Sequence, residues 1–269
     1  MGQAENSDRQ DEFSYFGMQS MWGVTKHMGG LKATDELAAL CGIGRGTRVL
    51  EVGSGVGLTS CHLAAKFGCQ VVGVDLSARM IEWATRRAQR KGLSEQAQFR
   101  IGDAVGLPFA EGSFDVVLCE SVTAFPPDKQ KAVNEYTRVA RAGGMVGMNE
   151  GTWIRPDPPA ELVSYCERTM DGAHFLTPDG WRALLVKAGL QDLVVRPQTV
   201  NAFRQKLDEL SGLEWEDWRE RLGATGTVLR MYARDPAFRR YARELMPSMS
   251  NARALFYYLG YGLYVGSKP

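Results

Sequence analysis

The chain has 269 residues, which is long enough to bury one large hydrophobic core or a core domain with an inserted cap. The formal net charge of +1 provides no general field for nucleic acid, and no apolar run approaches the roughly 20 residues that span a bilayer. The five cysteines have no metal-type spacing. We therefore expect a cytoplasmic protein with reduced thiols, no bound metal, no nucleic-acid partner and no transmembrane segment. Peripheral membrane contact and the oligomeric state stay open.

The N-terminal segment, residues 1–30, begins with a polar stretch and continues with an unusual mixture of aromatic residues, methionines and glycines. This mixture is typical of a segment that packs on a core. It equally suits a helical lid that closes over a ligand and hinges at Gly29-Gly30. The two interpretations are compatible, and His27 within the segment is a candidate substrate contact. Thr34 is then predicted to cap a short helix.

The middle of the chain alternates short apolar strand patterns with helix patterns. Strands separated by helices predict a doubly wound α/β fold with a parallel sheet, in which the carboxyl ends of the strands meet at one edge. The predicted elements in chain order are strand 47–53, helix 57–67, strand 70–75, helix 78–91, strands 97–102 and 114–119, helix 128–141 and strand 145–149.

The first strand ends in a glycine turn, Glu51-Val52-Gly53-Ser54-Gly55-Val56-Gly57, and the second ends in Val74-Asp75. A strand, a glycine turn, a helix and a second strand ending in an acid form the layout of a nucleoside-cofactor site. A pyrophosphate-binding turn would need its third glycine where this chain has Leu58. Glu51 would repel a pyrophosphate but attract a cationic amino group. The turn therefore indicates S-adenosylmethionine (SAM), which carries an ammonium and a sulfonium and no phosphate.

On these residues the chain resembles the class I SAM-dependent methyltransferases over roughly residues 45–150. Three further segments carry the resemblance: Phe99–Ala104, Ser113–Glu120, and Arg138–Gly144, where the family usually has Leu-Lys-Pro-Gly-Gly. It implies a mostly parallel seven-stranded, Rossmann-like sheet, with Asp75 on the ribose hydroxyls and Asp103 on the adenine. It also implies that SAM is contacted by Glu51, Gly53, Ser54, Gly55, Gly57, Asp75, Leu76, Met80, Gly102, Asp103, Ala104 and Glu120.

The pattern changes after Glu150. Helices at 160–170 and 178–189 precede a strand at 191–200, and a last strand is predicted at 256–266. Class I methyltransferases usually close with such a pair, the last strand running antiparallel. Between them lies a long helical insertion that is rich in apolar residues, which form either its own core or the wall of an apolar substrate cavity. The predicted divisions are an N-terminal lid (1–30), a core (31–200), a helical cap (201–252) and the last strand of the core (253–269).

Two acids leave the fourth and fifth predicted strands at the cofactor edge, Glu120 and Glu150. SAM already activates its methyl group, so the enzyme must orient the nucleophile, exclude water and dispose of a proton or stabilise a cation. A carboxylate near the methyl group could act as a general base or stabilise a cation, and either acid could instead be structural. Asn149 and His174 are candidate substrate contacts, and the three histidines have no metal-ligand spacing.

Within the family, the chain looks most like the branch of ubiquinone/menaquinone and sterol C-methyltransferases and their small-molecule relatives. The residues that carry this likeness are Val71–Ser77 with Met80, the glycine turn and Gly143-Gly144. It implies methyl transfer from SAM to a small, apolar or amphipathic acceptor of quinone, sterol or isoprenoid type. Two alternatives stay open: an amine or thiol acceptor, and a non-catalytic scaffold with the SAM-binding fold.

Overall fold

The computed structural model describes residues 14–23, 27–200, 215–246 and 248–269. The described residues form one seven-stranded sheet with helices packed on it. The strands are β1 (Arg48–Val52), β2 (Gln70–Asp75), β3 (Ala97–Ile101), β4 (Phe114–Glu120), β5 (Ala140–Trp153), β6 (Gln191–Gln198) and β7 (Leu259–Ser267). The helices are α1 (Tyr15–Trp22), α2 (Gly30–Leu40), α3 (Leu58–Phe67), α4 (Ala78–Arg90), α5 (Lys129–Val139), α6 (Ala160–Thr169), α7 (Pro178–Lys187), α8 (Trp215–Arg234), α9 (Pro236–Glu244) and α10 (Met249–Tyr258).

The strand order is β3-β2-β1-β4-β5-β7-β6. The first five strands in this order are parallel, and β7 runs antiparallel between β5 and β6. This order reverses direction at β1, because the chain moves outward to β3 and then returns to place β4 on the other side of β1. Ligands of open α/β sheets bind at such a switch point. The predicted doubly wound, mostly parallel sheet is confirmed.

Hydrophobic cores lie on both faces of the sheet, as a doubly wound fold requires. One contains Tyr136 of α5 and Trp181 of α7, both fully buried. The other contains Leu37 of α2 and Leu63 of α3. All five cysteines are buried within these layers. The helices therefore cover both faces of the sheet over the described residues.

The strand predicted at 145–149 extends from Ala140 to Trp153, and two further predicted element boundaries are wrong. Thr34 does not cap a helix, because α2 already begins at Gly30 and Thr34 lies inside it, fully buried. Residues 256–258 do not belong to the last strand. Ser248 caps α10 by accepting a hydrogen bond from the Asn251 N–H, and the helix continues through the aromatic residues to Tyr258. In both places a tertiary contact or an upstream cap outweighs the local pattern.

The insertion between β6 and β7 is helical where the structure describes it, in α8, α9 and α10. The apolar residues predicted at its start, such as Phe203 and Leu213, lie outside the described residues, as do residues 1–13 of the N-terminal segment. The division of the chain into lid, core and cap stays a prediction. Among the described helices, none is both long and apolar enough to cross a membrane.

Candidate cofactor and acceptor cavity

A cavity of about 820 Å³ opens at the carboxyl edge of the sheet, beside the switch point. Small-molecule sites commonly have volumes of about 300–1,000 Å³. Its cofactor side contains every residue predicted to contact SAM except Gly57. Its other side comes from α1, from the segment after β4 and from the loop after α6, and is lined by Ser14, Phe16, Gly17, Gln19, Ser20, His27, Ser121, Val122, Phe125, Pro126, Pro127 and Asp171.

The glycine turn after β1 approaches the neighbouring loops closely. Gly53 has a left-handed φ of 74°, and a Cβ there would collide with Val122 Cγ2 of the segment after β4. Gly57 does not line the cavity but begins α3, where a Cβ would stand 2.9 Å from Ala84 Cβ. These two glycines are therefore needed by the packing of the turn itself, independently of any ligand.

Asp75, at the end of β2, joins the turn to the second strand. Its Oδ2 accepts a hydrogen bond from the Gly55 N–H at 2.9 Å, and its Oδ1 accepts one from the Ser77 N–H at 2.9 Å. Burial raises the pKa of Asp75, while the two backbone donors act in the opposite direction. The carboxylate lines the cavity, and each oxygen keeps a further lone pair that a ribose hydroxyl could use.

Glu51 is a buried acid beneath the glycine turn, and it accepts a hydrogen bond from the Ser60 hydroxyl. Burial raises the pKa of Glu51 well above its usual range, and the nearby charges of Glu120 and Asp75 add to the effect. A buried carboxylate is stable in its charged form only beside a cation or several donors. The cationic amino group of SAM would supply that partner at this position.

The far end of the cofactor side is lined by two apolar residues, Leu76 and Met80, and by one acid, Asp103. Leu76 is 71% exposed although it lines the cavity, and Met80 beside it is buried. Asp103 accepts a hydrogen bond from the Val105 N–H at 3.0 Å, which holds the turn after β3. An exposed leucine with a carboxylate at its edge suits a planar, polar-edged ring such as adenine.

Glu120, at the end of β4, is the acid where the two sides of the cavity meet. Its carboxylate accepts hydrogen bonds from the Thr34 hydroxyl at 2.9 Å and the Asn149 amide at 3.0 Å. The Thr59 hydroxyl lies at 3.4 Å, and His27 Nε2 lies 3.8 Å from Glu120 Oε2. The side chain is 3% exposed. Glu120 therefore presents to the cavity a carboxyl group whose position is fixed by hydrogen bonds.

Glu150 is not at the cavity, and its predicted catalytic role is corrected. It is fully buried on the opposite side of β5, where its Oε1 accepts the Thr123 N–H at 2.7 Å and the Val122 N–H at 3.2 Å. Burial raises the pKa of Glu150 to about 7. It contacts the segment after β4 through both of these backbone donors, which satisfies them within the protein.

Two of the three predicted substrate contacts are also corrected. Asn149 is fully buried and lies behind Glu120, so it touches the acid rather than a ligand. His174 is exposed, pairs with Glu167 at 3.2 Å, and lines a neighbouring shallow depression that shares Phe125, Pro127 and Asp171 with the main cavity. His27 alone lines the main cavity, where its Nε2 lies 3.1 Å from Thr34 Oγ1.

Helix α1 crosses the cavity and is held at both ends by contacts that the sequence did not indicate. Asp171, in the loop after α6, accepts hydrogen bonds from the Tyr15 and Phe16 N–H groups, each at 3.0 Å. Near the other end, the Trp83 indole of α4 donates to the Ser20 carbonyl at 3.1 Å. The Phe16 and Phe125 rings meet edge to face at 4.5 Å and form an apolar wall between α1 and the segment after β4. The described part of the N-terminal segment thus lines one side of the cavity.

The cavity is acidic. Five of its lining side chains are carboxylates, and none of the described residues that line it is a lysine or an arginine. Such a surface opposes a phosphate or carboxylate on the ligand and favours neutral or cationic groups. No group of three metal-ligating side chains that could hold an ion occurs in the described parts of the chain.

Comparisons with known proteins show what this chain is similar to. Residues 50–148 match the family model described as a methyltransferase domain. Norajmaline N-methyltransferase of Rauvolfia serpentina is 34% identical over 51% of this chain and 42% of its own length. The 27-O-demethylrifamycin SV methyltransferase of Amycolatopsis mediterranei is 27% identical over 65% of this chain and 69% of its own length. The chain spans between 42% and 66% of the length of the first four curated relatives it matches.

A solved structure shows the same fold across almost the whole chain. The [4+2]-cyclase SpnF has a TM-score of 0.74 and 18% identity, over 97% of this chain and 94% of that one. At this identity the likeness concerns the fold alone.

Proposed function

We propose that this chain, whose residues 50–148 form a class I SAM-dependent methyltransferase domain with SAM as its cofactor, transfers the methyl group to a small, apolar or amphipathic acceptor. The observation that carries the proposal is the single cavity that joins the cofactor motifs to an apolar wall beneath α1. The acceptor would be uncharged or cationic, of quinone, sterol or isoprenoid type without a phosphate.

One orientation of the cofactor along the motif side of the cavity would match its groups to these residues. Its ammonium would pair with Glu51, its ribose hydroxyls with Asp75, and its adenine with Leu76 and Asp103. The sulfonium would then lie near Glu120, where the motif side meets the apolar wall. The strand order would place adenine, ribose and ammonium over β3, β2 and β1 in turn. The sulfonium, which SAM carries between its ribose and its ammonium, would direct its methyl group towards β4.

Methyl transfer is an in-line displacement at the sulfonium methyl carbon. The acceptor atom forms the new bond to carbon as the bond to sulfur breaks, and the sulfur leaves as a neutral thioether. Positive charge passes to the acceptor, either as an ammonium or as a carbocation, or is lost as a proton. The fixed charge of Glu120 would stabilise that positive charge, and the covering helix would keep water away.

An amine acceptor is the second candidate. The acidic lining favours a protonatable nitrogen, and the Phe16–Phe125 wall would accommodate its apolar body. Norajmaline N-methyltransferase, named for transfer to nitrogen, is among the relatives of this chain. A third candidate is an activity other than methyl transfer. The cyclase SpnF has the same fold, and a shared fold alone does not imply methyl transfer.

The test is formation of S-adenosylhomocysteine by the purified protein with SAM and a panel of acceptors. The panel contains a hydroquinone with an isoprenoid tail, a sterol, a secondary amine with an apolar body, and a prenyl diphosphate. Methylation would convert the secondary amine into a tertiary amine. We expect turnover with a neutral or amine compound and none with the diphosphate. Turnover with the diphosphate alone would contradict the acceptor class, and SAM binding without turnover of any acceptor would favour the scaffold alternative.

A further inference from the structure

The Glu120 carboxylate is oriented by side chains from separate parts of the chain. Thr34 belongs to α2 near the N-terminus, and Asn149 belongs to β5, more than one hundred residues later. Both side chains are fully buried, so neither can contact a ligand directly. Their polar groups nevertheless point at the one acid that lies between the cofactor side and the apolar wall.

The hydrogen-bond directions in this cluster are set by the groups that cannot donate. An ionised carboxylate only accepts, so the single hydroxyl proton of Thr34 points to Glu120 Oε1 at 2.9 Å. The Thr34 oxygen is then left to accept from His27 Nε2, which lies 3.1 Å away. This assigns the Nε2–H form to His27 in this arrangement. The contact joins His27 to Glu120 through one hydroxyl group.

Asn149 makes the second connection. Its amide nitrogen carries two protons, one donated to Glu120 Oε2 at 3.0 Å and one to the Met28 carbonyl at 2.9 Å. The amide therefore has no donor left over, and it ties the backbone of residue 28 to the acid. Two independent connections, through Thr34 and through Asn149, thus link residues 27–34 to Glu120.

We propose that Thr34 and Asn149 are positioning residues that aim the Glu120 carboxylate at the reacting groups, so that docking of residues 27–34 is required for the charge to be in place. The N-terminal segment would then build part of the active centre as well as cover it. The proposal rests on methyl transfer as the function, and its effect belongs mainly in kcat, because Thr34 and Asn149 do not line the cavity and change only the direction of a Glu120 carboxylate that stays beside the cofactor.

Thr34→Val tests it with almost no change of shape, because a methyl group replaces the hydroxyl. We expect kcat to fall about tenfold, as for loss of one hydrogen bond to a charged group, while the Kd for SAM stays within twofold. Thr34→Ser keeps the hydroxyl and should restore most of the lost kcat. Thr137→Val is the matched control, because Thr137 is also a buried helical threonine but bonds only the Val133 carbonyl, away from the cavity.

Asn149→Leu provides the second test and should also lower kcat with SAM binding retained. A kcat for Thr34→Val within twofold of the wild type overturns the proposal. So does a loss of SAM affinity that Thr34→Ser fails to restore, because that pattern indicates a structural role. If the wild type methylates no acceptor, the proposed function fails separately. Crystal structures then decide the positioning: a single unchanged Glu120 conformer in Thr34→Val overturns it, and a displaced or divided conformer supports it.

Discussion

The two sides of the cavity are built in different ways. The cofactor side comes from consecutive strand–turn units, so Glu51, Gly53 and Asp75 lie within 25 residues of one another in the sequence. The acceptor side brings α1, the segment after β4 and Asp171 together from across the chain. Local sequence therefore specifies where SAM would lie, whereas acceptor choice depends on long-range packing. The two sides should respond differently to mutation.

The largest expected effect is on the cofactor side. Asp75→Ala removes the carboxylate that would bind both ribose hydroxyls, and two bonds of about 1.5 kcal/mol each correspond to roughly a hundredfold weaker SAM binding. Calorimetry measures this, and acceptor KM should change little. Asp115→Ala is the control, because Asp115 is also a strand carboxylate that accepts a backbone N–H and an arginine, yet it does not line the cavity. Equal SAM affinity of Asp75→Ala and the control would remove Asp75 from the cofactor site.

The second prediction concerns Glu150, which belongs to neither side. Its folded pKa of about 7 stands above its ordinary value of 4.5, so ionisation costs stability in the folded state. The contribution of protonated Glu150 to stability is fully present below pH 4.5 and is lost as the pH rises through 7. The free energy of unfolding should fall by about 3 kcal/mol over this range. Urea unfolding at pH 4.5 and pH 8 should show this extra loss in the wild type relative to Glu150→Gln.

SAM binding should be unchanged in Glu150→Gln, since Glu150 does not line the cavity. A parallel pH dependence of the two proteins would show that Glu150 is solvated in a way the structure does not contain. A selective loss of kcat in Glu150→Gln, with normal stability, would return the acid to the acceptor side.

The third prediction concerns the hold on α1. Asp171→Asn removes the charge that accepts the Tyr15 and Phe16 N–H groups, and loss of such a cap costs about 1 kcal/mol. We expect a rise of about fivefold in acceptor KM with SAM affinity nearly unchanged. Asp157→Asn is a close control, because Asp157 also has a left-handed φ, of 54°, but lies outside the cavity. Loss of SAM affinity in Asp171→Asn without a change in acceptor KM would break the proposed division of the cavity.

The smallest expected effect is at the adenine end. Asp103→Asn keeps an oxygen that can accept from Val105, and Asp103 lies in an exposed turn where solvent competes. We expect SAM binding to weaken only about threefold, much less than in Asp75→Ala. An effect as large as that of Asp75→Ala would place the main contact of the cofactor at Asp103.

The contrast between the two sides also explains what the sequence could predict. The glycine turn and Asp75 could be predicted because the residues of their motifs are neighbours in the chain. The parallel topology then brings Glu120 to the same edge of the sheet. Glu150 was predicted to face the cavity, but its side chain lies on the other face of β5. Asn149 pairs with Glu120 across the sheet, so the side chain of the next residue, Glu150, points to the opposite face. Composition predicts where a strand lies, but it does not fix which of two neighbouring residues faces the cavity.

Thr34 and Asp171 were missed for a different reason. Thr34 has the sequence context of a helix cap, and only the packing of α2 on β5 brings it to Glu120. Asp171 sits in a loop whose left-handed backbone aims it at a helix more than 150 residues earlier. The Phe125-Pro126-Pro127 sequence after β4 was the available signal, because rigid apolar residues directly after a strand at the cofactor edge are suited to lining a cavity.

The buried Glu51 has a consequence for how the cofactor arrives. Burial raises the pKa of Glu51 well above the usual range, and the charged ammonium of SAM would favour loss of a proton held there. Binding should therefore release protons to the buffer, and the apparent affinity should increase as the pH rises. The heat of binding would then vary with the ionisation enthalpy of the buffer. In this sense SAM would act as a counter-ion of the domain, because its binding would favour the charged form of a buried side chain.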